Sequence, residues 1–270
     1  MSAATMNHVV SETPARLHAQ CTPERGHVVP LEADCGMCEL LALSATEPFP
    51  LGTMLHWGEV LEREGKAGHG WGVAWLPLTG RPLRLHKRLG RLHGDPSVHD
   101  VAGESTRVAL LHLRLPSDMG TVGMADTQPF LSADGGMAFA HNGFLPLHQH
   151  LRPRYAGELE GSADSEVGWR HFGALAPDLG VAPALRRTCD EVGGPDGRAN
   201  LIVLESTGRL HAHCANDRNR VCVLRQDGFT GFVTALHQDE TAALQALFPR
   251  ATLKLLQIGS GEMLYFPVVD

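Results

Sequence analysis

The sequence predicts one α+β domain of stacked β-sheets covered by helices, and three observations carry the prediction. From Cys38 onward, short β-like runs occupy both ends of the chain, two helical patterns fill its centre, and no linker divides them. The 270 residues, 43% of them hydrophobic, suffice for a sizeable core.

Taken in order, residues 1–33 mix Ser, Thr, Pro, His and Glu with no sustained period, as loops and disordered appendages do. Glu39–Ala45 is apolar but too short for its period to separate a buried strand from the first turn of a helix. Thr53–Glu64 places Leu55, Val60 and Leu61 on one side, which predicts a helix ending at Gly65. Gly70–Leu76 reads as a glycine-rich strand closed by Pro77, and Leu83–Leu89 alternates as a paired strand does. Val108–Arg114 and Gly136–His141 are further strands, the second running into Asn142-Gly143. Ser165–Leu175, opened by Asp164, and Ala182–Val192, cut off by Gly193-Gly194-Pro195, read as helices. Strands follow at Asn200–Glu205, Arg209–Cys214 and Val221–Arg225, separated by the turn formers Thr207-Gly208 and Asn216-Asp217. Phe232–Leu236, Thr252–Gln257 and Met263–Val268 complete the strands, with a helix over Asp239–Phe248.

Composition narrows the function. With 23 basic against 30 acidic residues and no concentrated basic stretch, a nucleic-acid surface is not expected. No apolar run reaches the roughly 20 residues of a membrane span, and with no basic stretch followed by an apolar one near residue 1 a secretory signal is not expected. Six cysteines in a chain of this length imply reduced thiols and a cytoplasmic setting.

Cys38 is where chemistry concentrates. If the chain starts at Met37, or is cut after it, Cys38 becomes the first residue and carries a thiol and a free α-amine together. An α-amine titrates at about 7.7–8.0, close to working pH, so such a residue holds its own general base. Residues 1–37 are then a pro-segment or the product of a mis-set start, and 38–270 the working domain. Cys35-Gly36-Met37-Cys38 is also a C-x-x-C, the spacing of redox and zinc sites, but the stretch before it makes no convincing strand. His211-Ala212-His213-Cys214 splits its ligands between two strand faces, so a polar strand face explains it better than a metal.

Six motifs occur in register: Met37-Cys38-Glu39-Leu40-Leu41, Gly70-Trp71-Gly72, His112-Leu113-Arg114, Asp126-Thr127-Gln128-Pro129-Phe130, Ala140-His141-Asn142-Gly143 and Ala163-Asp164-Ser165-Glu166. Together they resemble the class II glutamine amidotransferases, in particular small stand-alone bacterial members. The resemblance implies an N-terminal-nucleophile hydrolase with a four-layer αββα sandwich. It implies Cys38 as nucleophile and Asn142 with Gly143 as oxyanion hole. Arg114 would grip an α-carboxylate, Asp164 would receive an α-ammonium, and Ser117, where the family has a small hydroxyl residue after the arginine, would have a supporting role in substrate binding. Arg and Asp together describe the zwitterionic end of glutamine or a γ-glutamyl compound. No metal or other cofactor is needed.

Each residue also has a plainer explanation. Asn-Gly after a strand is a common hairpin turn, Asp164 suits a helix N-cap, and Arg114 could be a surface charge. The Gly70-Trp71-Gly72 run reads as structural, letting chain and aromatic ring pack close to the site. His141 reads as a packed, hydrogen-bonded histidine. Two departures from the family pattern bear on specificity: Gln128 stands where histidine is common, and the loop Pro116–Gly120 reaches its glycine one residue late.

The expected activity is hydrolysis of the side-chain amide of glutamine or a γ-glutamyl amide through a Cys38 thioester. A γ-glutamyl amidohydrolase of a small-thiol pathway would use the same fold and roles. A non-catalytic regulatory domain would instead keep its N-terminal extension. A true amidotransferase of this length would pass ammonia to a separate acceptor enzyme.

Overall fold

The computed structural model describes residues 38–236 and 241–265. In chain order these hold β1 (Glu39–Pro50), α1 (Leu51–Glu64), β2 (Trp71–Pro77), β3 (Arg84–Arg88), α2 (Val98–Val101), β4 (Ser105–Leu113), β5 (Phe130–Leu131) and β6 (Met137–Phe144). Then come α3 (His148–Leu151), α4 (Asp164–Leu179), α5 (Val181–Thr188), β7 (Arg198–Glu205), β8 (Arg209–Ala215), β9 (Val221–Gln226), β10 (Phe229–Thr234), α6 (Thr241–Leu247), β11 (Thr252–Leu255) and β12 (Ser260–Tyr265).

The strands form two sheets. One runs β11-β9-β10-β1-β4-β2-β3 and the other β12-β8-β7-β6-β5, with every neighbouring pair antiparallel. Side chains of successive strand residues point to opposite faces, so one strand serves two cores. In β1, Leu41 and Leu43 pack with Leu51, Leu55 and Leu61 of α1, while Leu40 and Ala42 face Ala138, Ala140 and Ile202 of the other sheet. In β6, Phe139 turns outward to Val167 and Phe172 of α4. Helix, sheet, sheet and helix are therefore stacked in four layers.

This two-sided burial explains the ambiguity at Glu39–Ala45. A strand covered on both faces shows a continuous apolar run instead of alternation; the structure makes it the start of a strand continuing to Pro50. The helix expected over Thr53–Glu64 begins two residues earlier and ends at Gly65 as expected, with the Gly65 N–H donating to the Leu61 carbonyl. The helix expected over Ala182–Val192 divides into α5 and a wider turn, Cys189–Gly193. Residues 1–37, the first part of the Asp239–Phe248 helix and the end of the Met263–Val268 strand lie outside the described residues.

Gly72 shows why the glycine-rich strand is glycine-rich. A β-carbon there would stand 2.4 Å from the Gln128 carbonyl oxygen, so the Asp126–Phe130 motif crosses β2 at backbone contact. Gln128 continues the contact inward, its Oε1 accepting the His141 N–H at 2.6 Å and tying the crossing segment to β6.

Candidate active site

The site gathers at the ends of β1, β4 and β6. Cys38, half-buried as a residue, immediately precedes β1, and its Sγ meets the backbone of Leu115, 3.2 Å from the N and 3.3 Å from the O. Leu115 follows Arg114, which leaves β4 beside β1 through the register Glu39↔Leu113. Burial pushes the Cys38 thiol up to about 12; the neighbouring charges of Glu39 and Asp164 push the same way, while Arg114 and the Leu115 hydrogen bond pull it down. As part of an internal peptide, Cys38 therefore carries a protonated thiol.

Arg114 is buried at 3% exposure, not spread on the surface. Its Nη2 donates to Thr121 Oγ1 at 2.7 Å, and its backbone is fixed by the Gly70 carbonyl and by the N–H groups of Gly68 and His69. Nη1 is buried and has no hydrogen-bond partner among the described residues. Burial lowers the guanidinium's pKa, and its electrostatic interactions with Cys38, Asp126 and Asp164 work against that shift. A buried cation with an empty donor suits an anionic group of a bound molecule.

Asn142 reaches Cys38 from the facing sheet across 104 positions of sequence: its Nδ2 donates to the Cys38 carbonyl. Its Oδ1 accepts from Asn200 Nδ2 at 3.0 Å and from Asn216 Nδ2 at 3.4 Å. Asn142 thus lies within a strand-paired ladder opposite Asn200 and is not the tip of a hairpin. Gly143 follows with φ of +131°.

Asp164 occupies the first turn of α4. Its Oδ2 accepts the Leu145 N–H and its Oδ1 the Ser165 N–H, each at 2.8 Å, and the preceding Ala163 is the N-cap. The segment leading into it is held by two other carboxylates. Asp126 Oδ1 accepts from Ser162 N at 2.8 Å and Ala163 N at 2.7 Å, and Glu166 accepts from Glu160 N and Gly161 N at 2.8 Å each.

The structure brings Cys38, Arg114 and Asn142 together, with Asp164 close enough for its charge to act on both Cys38 and Arg114. Ser117 is the exception, standing exposed on the loop that leads to Thr121. His141 is buried and bonded through its backbone, but its ring Nε2 has no partner among the described residues. His211 Nε2 lies 2.5 Å from Glu205 Oε1, and among the described residues no three metal-ligating side chains converge. Thr121, Asn200 and Asn216 escaped the sequence motifs. No local signal marks the last two, since strand pairing alone places them against Asn142.

A model of the class II glutamine amidotransferases matches residues 37–252, four-fifths of the chain. No curated protein sequence matches it. Among solved structures, the glutamine phosphoribosylpyrophosphate amidotransferase of B. subtilis, complexed with ADP and GMP, superposes with a TM-score of 0.64 at 17% identity, over 84% of this chain and 47% of that one. A structure described as the allosteric regulatory enzyme of purine biosynthesis gives 0.65 at 15% identity, over 84% and 46%. This chain spans less than half of either, and at such identities the likeness concerns the fold, an N-terminal-nucleophile sandwich of two antiparallel sheets between helices. With the family model running through every motif from Cys38 to β11, the chain belongs to the class II glutamine amidotransferases.

Proposed function

We propose that the chain hydrolyses the side-chain amide of glutamine or of a γ-glutamyl amide, with Cys38 as an N-terminal nucleophile freed of residues 1–37. The observation that carries this reading is the meeting of the Cys38 and Asn142 backbone and side chain beside Arg114, whose buried Nη1 has no partner among the described residues. Arg114 takes the substrate α-carboxylate and Asp164 its α-ammonium, which aligns the γ-amide with Sγ. Ser117 serves only by supporting the loop that presents Thr121 to Arg114.

The freed α-amine takes the thiol proton as sulfur attacks the amide carbon. The oxyanion rests on the Asn142 amide and the Gly143 N–H. The α-amine then gives its proton to the departing nitrogen, the C–N bond breaks, and a γ-glutamyl thioester remains. Water, deprotonated by the same amine, attacks the thioester; the C–S bond breaks and the thiol regains its proton. Glutamine and water become glutamate and ammonia, and a transferase would hand that ammonia to a separate acceptor enzyme. The four cysteines of the described residues are free, which suits the reducing cytoplasm.

Ammonia release measured on glutamine and on a panel of γ-glutamyl amides tests the reading, including the small-thiol alternative. Asn142→Ala should lower turnover about 10²–10³-fold with the fold retained. Absence of release from every γ-glutamyl compound by protein whose mass begins at Cys38 would remove the hydrolase assignment.

A further inference from the structure

We infer that Asn200 and Asn216 are positioning residues for the hydrolysis, holding Asn142 with its NH2 end towards Cys38 and strengthening it as an oxyanion donor. The inference rests on the reading of Asn142 just given.

An asparagine amide has two ends of nearly equal size, so shape alone does not decide which one faces a site. Here backbone groups decide it. The Asn219 carbonyl can only accept, so the end of Asn200 that faces it is the NH2. The Asn216 backbone N–H can only donate, and it meets the other end of Asn200, Oδ1, at 3.3 Å. With both ends of Asn200 fixed, Nδ2 also lies 3.0 Å from Asn142 Oδ1. Asn216 is fixed in the same way: its Oδ1 accepts the Arg218 N–H at 3.1 Å, which turns its Nδ2 to Asn142 Oδ1 at 3.4 Å.

Two donors therefore converge on the Asn142 oxygen and occupy both of its lone pairs. Its NH2 can point only the other way, where the Cys38 carbonyl takes one hydrogen. The second hydrogen is left for an oxygen bound beside Sγ. Asn142, Asn200 and Asn216 are all 0% exposed, and linked hydrogen bonds in such surroundings polarise one another. Donation into Oδ1 makes the Asn142 N–H a stronger donor at the position where negative charge develops. The strand register supplies the arrangement: Asn142 pairs with Asn200 across β6 and β7, and Asn216 follows directly on β8.

A double-mutant cycle on glutamine hydrolysis, with kcat and KM measured separately, tests this. Asn200→Ala should lower kcat roughly tenfold with KM within about twofold, and should lower it no further when Asn142 is already alanine. Equal losses in both backgrounds, or an unchanged kcat, would overturn the inference, since a merely structural role acts without Asn142. Should Asn200→Ala fail to fold, Asn216→Ala, beyond the end of β8, enters the same cycle with the same expectation. An unchanged kcat in Asn142→Ala alone would instead fault the oxyanion assignment, a separate outcome.

Discussion

Gly143 and Arg198 pack so closely that a β-carbon on residue 143 would stand 1.8 Å from the Arg198 carbonyl oxygen. The φ of +131° at Gly143 disfavours any side chain a second time. Gly143→Ala therefore has to push β6 from β7 next to Asn142, at an expected cost of about 3 kcal/mol or more. Urea unfolding should show a midpoint lowered accordingly. A midpoint equal to the parent's would mean that the pairing yields freely there, contrary to the packing.

Asp126 acts at a distance from the thiol. Its Oδ1 accepts the N–H groups of Ser162 and Ala163, the two residues before Asp164. Asp126→Ala leaves both donors unpaired and frees the segment that sets the Asp164 carboxylate. KM for glutamine should rise about tenfold, with a smaller change in kcat. Asp126→Asn keeps the accepting oxygen and should stay within about threefold of the parent. Equal KM values for the two variants would separate Asp126 from substrate positioning.

How much of this was legible beforehand depends on whether a feature is local. The motifs containing Cys38, Arg114, Asn142 and Asp164 are short, and each sits where a strand or helix ends, so sequence order exposes them. The positions of β2, β3, β4, β6, α4 and β7 to β9 followed from local period and turn residues, whereas the short α2, β5 and α3 gave no such signal. Asn200 and Asn216 stand in no motif, and they reach Asn142 only through strand pairing 58 and 74 positions away. Thr121 reaches Arg114 only because the loop after β4 folds back on itself. Asp126 lay within a recognised motif, yet its task depends on a segment 36 and 37 residues downstream. The burial of Arg114 was hidden for the same reason, since the residues that cover a strand end are distant in sequence.

His112 should make the fold acid-sensitive. Its ring is fully buried between the sheets, and its pKa falls from 6.5 to about 3, chiefly by burial and then by the charges of Arg114 and His141, which a hydrogen bond to the His141 backbone opposes only in part. The folded chain keeps this ring neutral while the unfolded chain takes up a proton below pH 6.5. The unfolded state thus binds more protons, so stability is full above pH 6.5 and declines as pH falls towards 3. The slope from this residue is about 1.4 kcal/mol per pH unit. Urea unfolding from pH 7 to pH 4 should show a shallower loss for His112→Leu than for the parent, by about that slope. Parallel curves would place the acid sensitivity elsewhere.

The state of the Cys38 nitrogen decides the mechanism. With a peptide bond before it, the thiol is pushed up to about 12 and carries no adjacent base. Removing residues 1–37 puts an ammonium group on the same residue, and a cation that close lowers a thiol's pKa. Two proteins should therefore differ in alkylation at pH 8: one retaining residues 1–37, and one beginning at Cys38. Modification at Cys38, located by peptide mass, should be at least about tenfold faster in the shorter chain. Its rate should rise through an apparent pKa below that of the longer chain, and only the shorter chain should release ammonia from glutamine. Intact mass of the protein from its native host then decides which form is made. Equal alkylation rates, or equal ammonia release, would take the α-amine out of the reaction and require another base for Cys38.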